Sequence, residues 1–323
     1  MRHIRFLAFI VVAASVLFAG TVSAQPYPNK TIRFVVPYAA GGLPDTVARA
    51  LSIRLSEALG QSVVVDNRPG ANGAVAASNI AASPADGYTF LVTDGSMMTI
   101  SPLLSSKLPY DPAKDFVPVS LIAQSPLFLA VHPSVKANTL NELVALAKAK
   151  PAALNYGSSG IGSTHHLSME AMKSGFGIFI THIPFRGSAA SVPAMIGGQV
   201  EMVFSAYPSL AGFVKNGQAK ILATNSAKRS NLAPNVPAIS ESLPGFDFAV
   251  IVVVMAKTGT PPDVIARISS EVAKIAKRQD FIDQMQIAGI DTLGGDPAAL
   301  ANALQEESRR VTVAAKRANL KAE

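Results

Sequence analysis

The chain contains neither cysteine nor tryptophan among its 323 residues. Without cysteine, disulfide bonds and a lipid-modified N-terminal cysteine are both excluded, so the fold has to be held by its apolar core. Aromatic residues make up only 7% of the chain, and its 28 lysines and arginines are scattered along the sequence. A nucleic-acid surface usually combines a basic patch with aromatic side chains. We therefore expect no nucleic-acid partner.

The sequence motifs of several enzyme and metal-site classes are also missing. Neither the P-loop pattern nor G-x-G-x-x-G is present, and no H-E-x-x-H accompanies the adjacent residues His165 and His166. Around Ser159 the nucleophile pattern G-x-S-x-G fails, because Ile161 stands where the second glycine is required. We predict that the protein is not an enzyme and has no catalytic residue, metal site or cofactor.

The N-terminal segment has the features of a secretory signal peptide in the usual order. Residues 1–5 are basic through Arg2 and Arg5, residues 6–18 are almost entirely apolar, and residues 22–24 read VSA. The apolar run is shorter than the roughly 20 residues of a membrane-spanning helix. A cleaved signal is thus favoured over a retained anchor. We predict cleavage after Ala24, export to the periplasm, and a net charge two below the full-length value of +7.

From residue 31 onward, short β-branched runs alternate with amphipathic helical patterns. Residues 31–36 are typical of a strand, and residues 45–59 follow as a helix with Val47, Leu51 and Leu55 at a spacing of four. Such alternation predicts βαβ units around a mainly parallel sheet. The length of the mature chain suits two domains.

Two crossing points divide the predicted elements into two α/β lobes. The first lies at Ser125 and Pro126, between two apolar segments, and the second lies where the strand predicted at residues 248–256 returns. We expect a signal peptide at 1–24, lobe I at 25–125 plus 252–323, and lobe II at 126–251. The cleft between the lobes is the natural ligand site, and we expect a monomer.

A glycine-containing loop at residues 37–45 joins the first strand to the first helix. Gly41 and Gly42 allow close backbone approach, and the helix start presents unpaired N–H groups that stabilise a carboxylate. The alternative is a tight turn in which Asp45 only caps the helix. The residues alone leave both interpretations open.

A second loop, at residues 157–166, is rich in glycine and hydroxyl side chains. Ser163 and Thr164 can cap the following helix, whereas Ser158 and Ser159 are expected to remain free to donate to a ligand oxygen. A third region, residues 184–188, and Ser205 after the next strand complete a matching cradle in lobe II. Its Arg186 is either a bidentate carboxylate ligand or a solvated side chain.

These loops resemble those of the periplasmic substrate-binding receptors of tripartite tricarboxylate transporters, often called the Bug family. The resemblance runs from about Tyr27 to the C-terminus. Its motifs are IRFVVPYAAGGLPDTVAR (32–49), VDNRPGANG (65–73), PADGYT (84–89), GSSGIGSTHHL (157–167), PFRGS (184–188), TNSAKR (224–229) and GTPP (259–262).

The resemblance implies a type II periplasmic-binding-protein fold, in which two α/β lobes joined by crossing strands close on a ligand. It implies capture of a small organic acid and delivery to the membrane permease subunits of a tripartite tricarboxylate transporter. A sensing subunit that signals to a membrane two-component kinase is the alternative. The candidate ligand-binding residues are Tyr38, Ala39, Ala40, Gly41, Gly42, Asp45, Thr93, Ser158, Ser159, Gly162, Ser163, His165, Arg186, Gly187, Ser188 and Ser205.

The chain departs from the family pattern at three places. Leu43 and Pro44 stand where a hydroxyl residue commonly precedes Asp45, Ser205 stands where an aspartate is frequent, and Arg186 replaces a lysine. Loss of the aspartate would remove a partner for a ligand ammonium group. We expect a mono- or dicarboxylate in preference to an amino acid.

Overall fold

The structure is a computed structural model and describes residues 27–38, 40–70, 73–185, 187–317 and 319–321. The predicted signal peptide and the candidate residues Ala39 and Arg186 lie outside the described residues. The strands are β1 (Ile32–Val36), β2 (Val63–Asn67), β3 (Thr89–Asp94), β4 (Phe116–Ser125), β5 (Leu127–Val131), β6 (Asn155–Ser158), β7 (Thr181–Pro184), β8 (Met202–Ala206), β9 (Lys220–Thr224), β10 (Val250–Lys257) and β11 (Asp291–Gly295).

Helices cover both faces of the sheets that these strands form. They are α1 (Leu43–Leu59), α2 (Ala74–Ala82), α3 (Ser96–Thr99), α4 (Ser101–Leu104), α5 (Pro112–Asp115), α6 (Leu140–Ala149), α7 (Thr164–Phe176), α8 (Ser188–Ile196), α9 (Tyr207–Lys215), α10 (Pro262–Ile275), α11 (Gln279–Ile287) and α12 (Pro297–Arg317). Helix α1 follows the predicted pattern, because Val47, Leu51 and Leu55 are buried and Gly60 ends the helix at a φ of 65°.

Lobe I is built on a six-stranded sheet with the order β11-β4-β10-β3-β1-β2. Strand β1 pairs in parallel with β2 and β3, whereas β10 runs antiparallel to both β3 and β4. Apolar clusters cover both faces of this sheet, one against α1 and α10 and the other against α2. The valine-rich β10 is therefore buried on both sides, as its continuous apolar sequence predicts.

Lobe II is built on a five-stranded sheet with the order β7-β6-β8-β5-β9. Strands β6, β7 and β8 are parallel, and β5 runs antiparallel to its neighbours β8 and β9. The sheets are thus mixed, whereas the alternation predicted mainly parallel ones. The reason lies in the crossings, since a chain that leaves one lobe and returns must enter the other sheet in the opposite direction.

The two crossing segments lie side by side and are tied together by Asn225. Only Pro126 separates β4 from β5, and β10 begins after the second crossing. The buried Asn225 accepts a hydrogen bond from Leu127 N (2.7 Å) and donates one to Phe248 O (2.6 Å). The lobe boundaries at 125/126 and 251/252 stay a prediction, and β10 (Val250–Lys257) begins two residues before the second of them.

Helix α12 belongs to both lobes. It starts beside the lobe I sheet, where Leu300 is buried in the cluster against α2. Its later residues Val311, Ala314 and Ala315 lie in the core cluster of lobe II. The helix therefore packs across the junction between the lobes.

Candidate functional site

The first loop is held in place by the side chain of Asp45, which is only 1% exposed. One carboxylate oxygen accepts hydrogen bonds from Gly41 N (2.8 Å) and Arg49 Nε (2.9 Å), and the other accepts from Asn67 Nδ2 (2.8 Å). The Asn67 amide also reaches Tyr38 O at 3.0 Å. Asp45 therefore organises the loop, and its carboxylate is occupied by protein donors instead of a ligand.

Electrostatics agree with this role of Asp45. Burial opposes its ionisation, but the hydrogen bonds from the three donors outweigh burial and lower the pKa of the carboxyl below its ordinary value. The carboxylate consequently stays charged, and it keeps Gly41 at a φ of 87° with no atom near the position of an added Cβ. The loop leaves open space above Gly41, as a ligand approaching the backbone requires.

The start of α1 offers backbone donors beside this open space. The first hydrogen bond of α1 runs from Thr46 N to Gly42 O (2.9 Å). The N–H groups of Gly42, Leu43 and Asp45 come before it and therefore have no acceptor within the helix. Pro44 contributes no N–H group. The first loop thus presents donors and the positive end of a helix dipole to any anion in the cleft.

Tyr38 is fixed by an acidic residue that sequence reasoning missed. Asp94, the last residue of β3, hydrogen-bonds the Tyr38 side chain and accepts from Ser96 N (3.0 Å). Burial raises the pKa of Tyr38 well above its ordinary value, and it also raises that of Asp94. The position of Asp94 at the carboxyl end of a parallel strand was the signal available in the sequence.

In the second loop, Ser158 and Ser163 are bound within the protein. Ser163 caps α7 by accepting from His166 N at 3.2 Å. Ser158 Oγ lies 2.7 Å from His182 Nε2 and accepts from Gly160 N at 3.0 Å. This corrects the expectation that Ser158 is free to donate to a ligand, because its partner His182 follows on the neighbouring strand β7.

The histidine under this loop belongs to a stack of three rings. The His182 ring stacks on both Tyr156 and His166, with ring centroids 4.7 Å and 4.1 Å away, and these two rings are 6.4 Å apart. Gly162 N donates to His166 Nδ1 at 3.1 Å, so both histidines support the loop from below. Burial, followed by the neighbouring His166, lowers the pKa of His182 to about 4, and both rings are therefore neutral at pH 7.

Among the described residues of lobe II, three buried hydroxyl groups have no hydrogen-bond partner: those of Ser159, Ser191 and Ser205. Ser191 and Ser205 lie on the sheet face that carries Val203, and Ser159 directly follows the end of β6. A Cβ added to Gly157 would meet Val203 and Ser191, and in an extended chain side chains two residues apart point the same way. Ser205 follows Val203 by two residues on β8, and Val203 pairs with Gly157 in parallel register.

An unsatisfied buried hydroxyl is unusual, because native structures pair most buried polar atoms. Three of them at one sheet end are suited to an acceptor supplied by a ligand. Ser159 and Ser205 were among the candidates from the sequence. Ser191 was missed, because a serine inside a helical pattern carries no signal of its own.

The remaining candidates occupy different surroundings. Thr93 is fully buried and its hydroxyl faces Met97 Sδ at 3.6 Å, so it belongs to the core of lobe I. Ala40 is exposed, and Gly187 has open space above it at a φ of 92°. Ser188 is the first residue of α8 and half-buried. Burial lowers the pKa of His165 to about 4, so this ring too is neutral at pH 7.

An apolar contact joins α4 of lobe I to the second loop. Leu43, at the start of α1, packs against the lobe I cluster and against a cluster that combines Ile100 of lobe I with the core of lobe II. Leu104 of α4 packs against the lobe II cluster, and a Cβ added to Gly162 would lie 2.6 Å from its Cδ1. The second loop of lobe II therefore meets α4 of lobe I at this point.

A second buried acid lies where α12 crosses the junction. Glu307 packs on Gly95, and its Oε2 has no hydrogen-bond partner. Burial, followed by repulsion from Asp94, raises the pKa of Glu307 to about 8. Nothing in the sequence marks it, because its surroundings come from distant segments.

In the part of the chain that the structure describes, no helix is long and apolar enough to cross a membrane. The same residues contain no group of three or more histidine or acidic side chains placed to hold a metal ion.

The structure has two α/β lobes joined by two crossing segments, and both lobes carry unpaired donors. This arrangement is that of a two-lobed solute-binding protein. The sequence model of the protein family described as the tripartite tricarboxylate transporter family receptor matches residues 47–320. The chain belongs to this family of solute-binding receptors, as the resemblance of its motifs indicated.

Solved structures agree with the family and the fold. The chain is similar to an adipate-bound protein of R. palustris, with 34% identity, a TM-score of 0.82, and coverage of 92% of this chain and 100% of that one. It is similar to the periplasmic binding protein BugD, with 26% identity, a TM-score of 0.77, and coverage of 92% and 100%. A malate-bound protein, MatC of Rhodopseudomonas palustris, has 28% identity, a TM-score of 0.75, and coverage of 89% and 99%.

Proposed function

We propose that this receptor captures a small dicarboxylate between its lobes in the periplasm and delivers it to the permease subunits of a tripartite tricarboxylate transporter. One carboxylate binds the open N–H groups at the start of α1, and the other binds the hydroxyls of Ser159, Ser191 and Ser205. The observation that supports the proposal is the presence of unpaired donors in both lobes, namely the N–H groups at the start of α1 and the hydroxyls of Ser159, Ser191 and Ser205.

The chemistry of the donors favours an acid without an ammonium group. The serine hydroxyls can donate to a carboxylate. Asp45, the acidic side chain of the first loop, is already occupied by three protein donors. The similar R. palustris proteins hold adipate and malate, which are both diacids.

Closure follows from binding at two ends. A ligand that contacts both lobes stabilises the closed form relative to the open one by the contacts that only the closed form makes. Tyr38, Gly41, Gly42 and the α1 amides form the lobe I half of the proposed site. The lobe II half consists of Ser159, Ser191, Ser205, His165, Gly187 and Ser188.

Calorimetric titration of the mature chain, residues 25–323, tests this proposal. The panel consists of diacids from succinate to pimelate, the monoacids of the same lengths, and aspartate and glutamate. We expect a diacid to bind at least about tenfold more tightly than its monoacid, because a monoacid leaves buried hydroxyls unpaired. Tight binding of amino acids alone would refute the proposal.

A pair of serine variants locates the site. Ser159→Ala should weaken diacid binding while leaving the unfolding transition in place, because it removes a hydroxyl that no protein group uses. Ser270→Ala is the matched control, since Ser270 is exposed on α10 of lobe I. Equal affinities of the two variants would show that the ligand binds elsewhere.

A further inference from the structure

Asp94 is the acidic side chain that holds Tyr38 of the first loop in place, and it is fully supplied with donors. Ser96 N donates to it at 3.0 Å, and the hydroxyls of Ser96 and Tyr38 and the amide of Met97 donate as well. Four donors match the lone pairs of an ionised carboxylate, and hydrogen bonds to an ionised group are the stronger kind. Asp94 therefore binds Tyr38 best in its charged form.

Glu307 of α12 lies next to this carboxylate and has a different set of partners. Its carboxyl packs directly on Gly95, the residue after Asp94, and its Oε2 has no hydrogen-bond partner. The side chain also contacts the Thr99 hydroxyl. Because that hydroxyl donates its single proton to Gly95 O (3.0 Å), it can only accept a hydrogen bond from Glu307. A protonated carboxyl can donate this bond, whereas an ionised one cannot.

Around Glu307, burial and repulsion outweigh attraction. Asp94 and Asp247, which precedes β10, both oppose a charge on Glu307. Arg310, one turn along α12, favours that charge, but it is paired with Asp247 at 3.7 Å, and its buried Nε has no hydrogen-bond partner. Three acids thus share one cation, and the pKa of Glu307 rises to about 8.

Ionisation of Glu307 would place two buried carboxylates side by side. The repulsion is relieved when Asp94 takes up the proton or when the two side chains separate, and either change weakens the bond between Asp94 and Tyr38. The titratable hydroxyls near Asp94, those of Tyr38 and Tyr110, stay neutral because burial raises their pKa values. The loss therefore falls on Tyr38, which belongs to the lobe I half of the proposed site.

We infer that Glu307 is a positioning residue of this receptor: it holds a proton at neutral pH, and this proton keeps Asp94 ionised and the first loop arranged for the ligand. The inference rests on the proposed function, because it assumes that the ligand binds at the first loop. It adds a coupling between ligand affinity and the protonation of a side chain outside the site.

Calorimetric titration of the mature chain with its tightest-binding diacid, at pH values from 7 to 9, tests the inference. If the form with a protonated Glu307 is the one that binds, a pKa of about 8 predicts that Kd rises about tenfold from pH 7 to pH 9. The carboxylates of the ligand are ionised throughout this range and add no pH dependence. Binding at pH 8 should take up about half a proton, measured in two buffers that differ in ionisation enthalpy.

Glu307→Gln keeps the shape of the side chain, has no proton to lose and can still donate to Thr99. Its Kd should change less than about twofold from pH 7 to pH 9, and the proton uptake should disappear. Glu306→Gln is the matched control, because Glu306 precedes Glu307 on α12, is 56% exposed and pairs with the exposed Arg309. It should keep the wild-type profile.

A measurement without ligand locates the proton. In protein labelled with ¹³C at the glutamate carboxyls, the NMR resonance that Glu307→Gln removes should titrate near pH 8, well above the ordinary glutamate pKa of about 4.3. Titration of this resonance at the ordinary value would overturn the inference.

The outcomes separate the inference from the proposed function. If wild type binds diacids with a Kd that does not depend on pH, or if Glu307→Gln keeps the dependence, the inference is overturned and the dicarboxylate function stands. If Glu306→Gln loses the dependence as well, the effect does not come from Glu307 and the inference is again overturned. If no diacid binds at any pH, the proposed function fails and takes the inference with it.

Discussion

Replacing Asp45 by asparagine removes the charge on which the first loop is built while keeping the shape of the side chain. Both carboxylate oxygens are in use, with Gly41 and Arg49 on one and Asn67 on the other. An asparagine keeps one acceptor oxygen, and its amide group would face at least one of the former donors. One buried donor is therefore left without a partner.

The magnitude follows from these contacts. A buried donor left unpaired costs about 1–3 kcal/mol, and a hydrogen bond to a charged group contributes about 1.5–3 kcal/mol. The Arg49 side chain is 52% exposed, and so its ion pair with Asp45 contributes at most about 1 kcal/mol. We expect Asp45→Asn to lower the free energy of unfolding by about 2–3 kcal/mol, and Arg49→Gln by less than about 1 kcal/mol.

Urea unfolding and calorimetry on the same preparations test this expectation. Ligand affinity should fall about tenfold or more in Asp45→Asn, because the α1 amides lose their arrangement. Simple electrostatics predicts the opposite, since removing a negative charge near an anion tightens binding. An Asp45→Asn variant that is as stable as wild type and binds a carboxylate equally well or better would refute the organising role of Asp45.

The pH dependence of this difference is a further check. Because the folded-state pKa of Asp45 is lowered, its contribution is present above the unfolded-state pKa of about 4 and is lost as the pH falls through the folded-state value. The gap between wild type and Asp45→Asn should therefore close in acid.

Three other predictions follow from the buried polar groups. Ser191→Ala should weaken diacid binding and leave monoacid binding nearly unchanged in calorimetry; equal losses for both would place Ser191 outside the distal carboxylate. Because the pKa of His182 is lowered in the folded state, the free energy of unfolding should fall by about 1–2 kcal/mol as the pH drops from 6.5 to 4, after allowance for the partial exposure of the ring. Urea unfolding measures this change, and His182→Gln should flatten the profile. Because the pKa of Glu307 is raised in the folded state, the free energy of unfolding of wild type should fall as the pH rises from about 4 to about 8. Glu307→Gln should not show this loss. A Glu307→Gln variant that is less stable than wild type at pH 8 would contradict the prediction.

Much of the lobe I architecture was predictable because its elements carry local signals. The four-residue spacing of Val47, Leu51 and Leu55 indicated α1. The strand predicted at 31–36 agrees with the observed β1. Short helices such as α3 and α4 were not predicted, since four residues are too few to show a helical period.

The candidate site was predictable only as far as its loops. Glycines and hydroxyls before helices pointed to the first and second loops, but they could not distinguish Ser158 from Ser159. That distinction depends on His182, which lies on the neighbouring strand and bonds one serine while leaving the other unpaired. Long-range contacts decide which of two adjacent serines is available, and a local pattern does not contain them.

The residues at the lobe junction were the least predictable. Glu307 on α12 and Gly95 after β3 are far apart in sequence, and only the packing of α12 across both lobes brings them together. Leu43 was visible as a departure from the family pattern, but its contact with both apolar clusters depends on how the lobes meet.

A crystal structure of the mature protein with its tightest-binding diacid tests the central claim most directly. We expect one carboxylate within hydrogen-bond distance of the Leu43 and Asp45 amides, and the other within reach of Ser159, Ser191 and Ser205. A ligand bound outside the interlobe space, or with both carboxylates on one lobe, would contradict the proposed binding site.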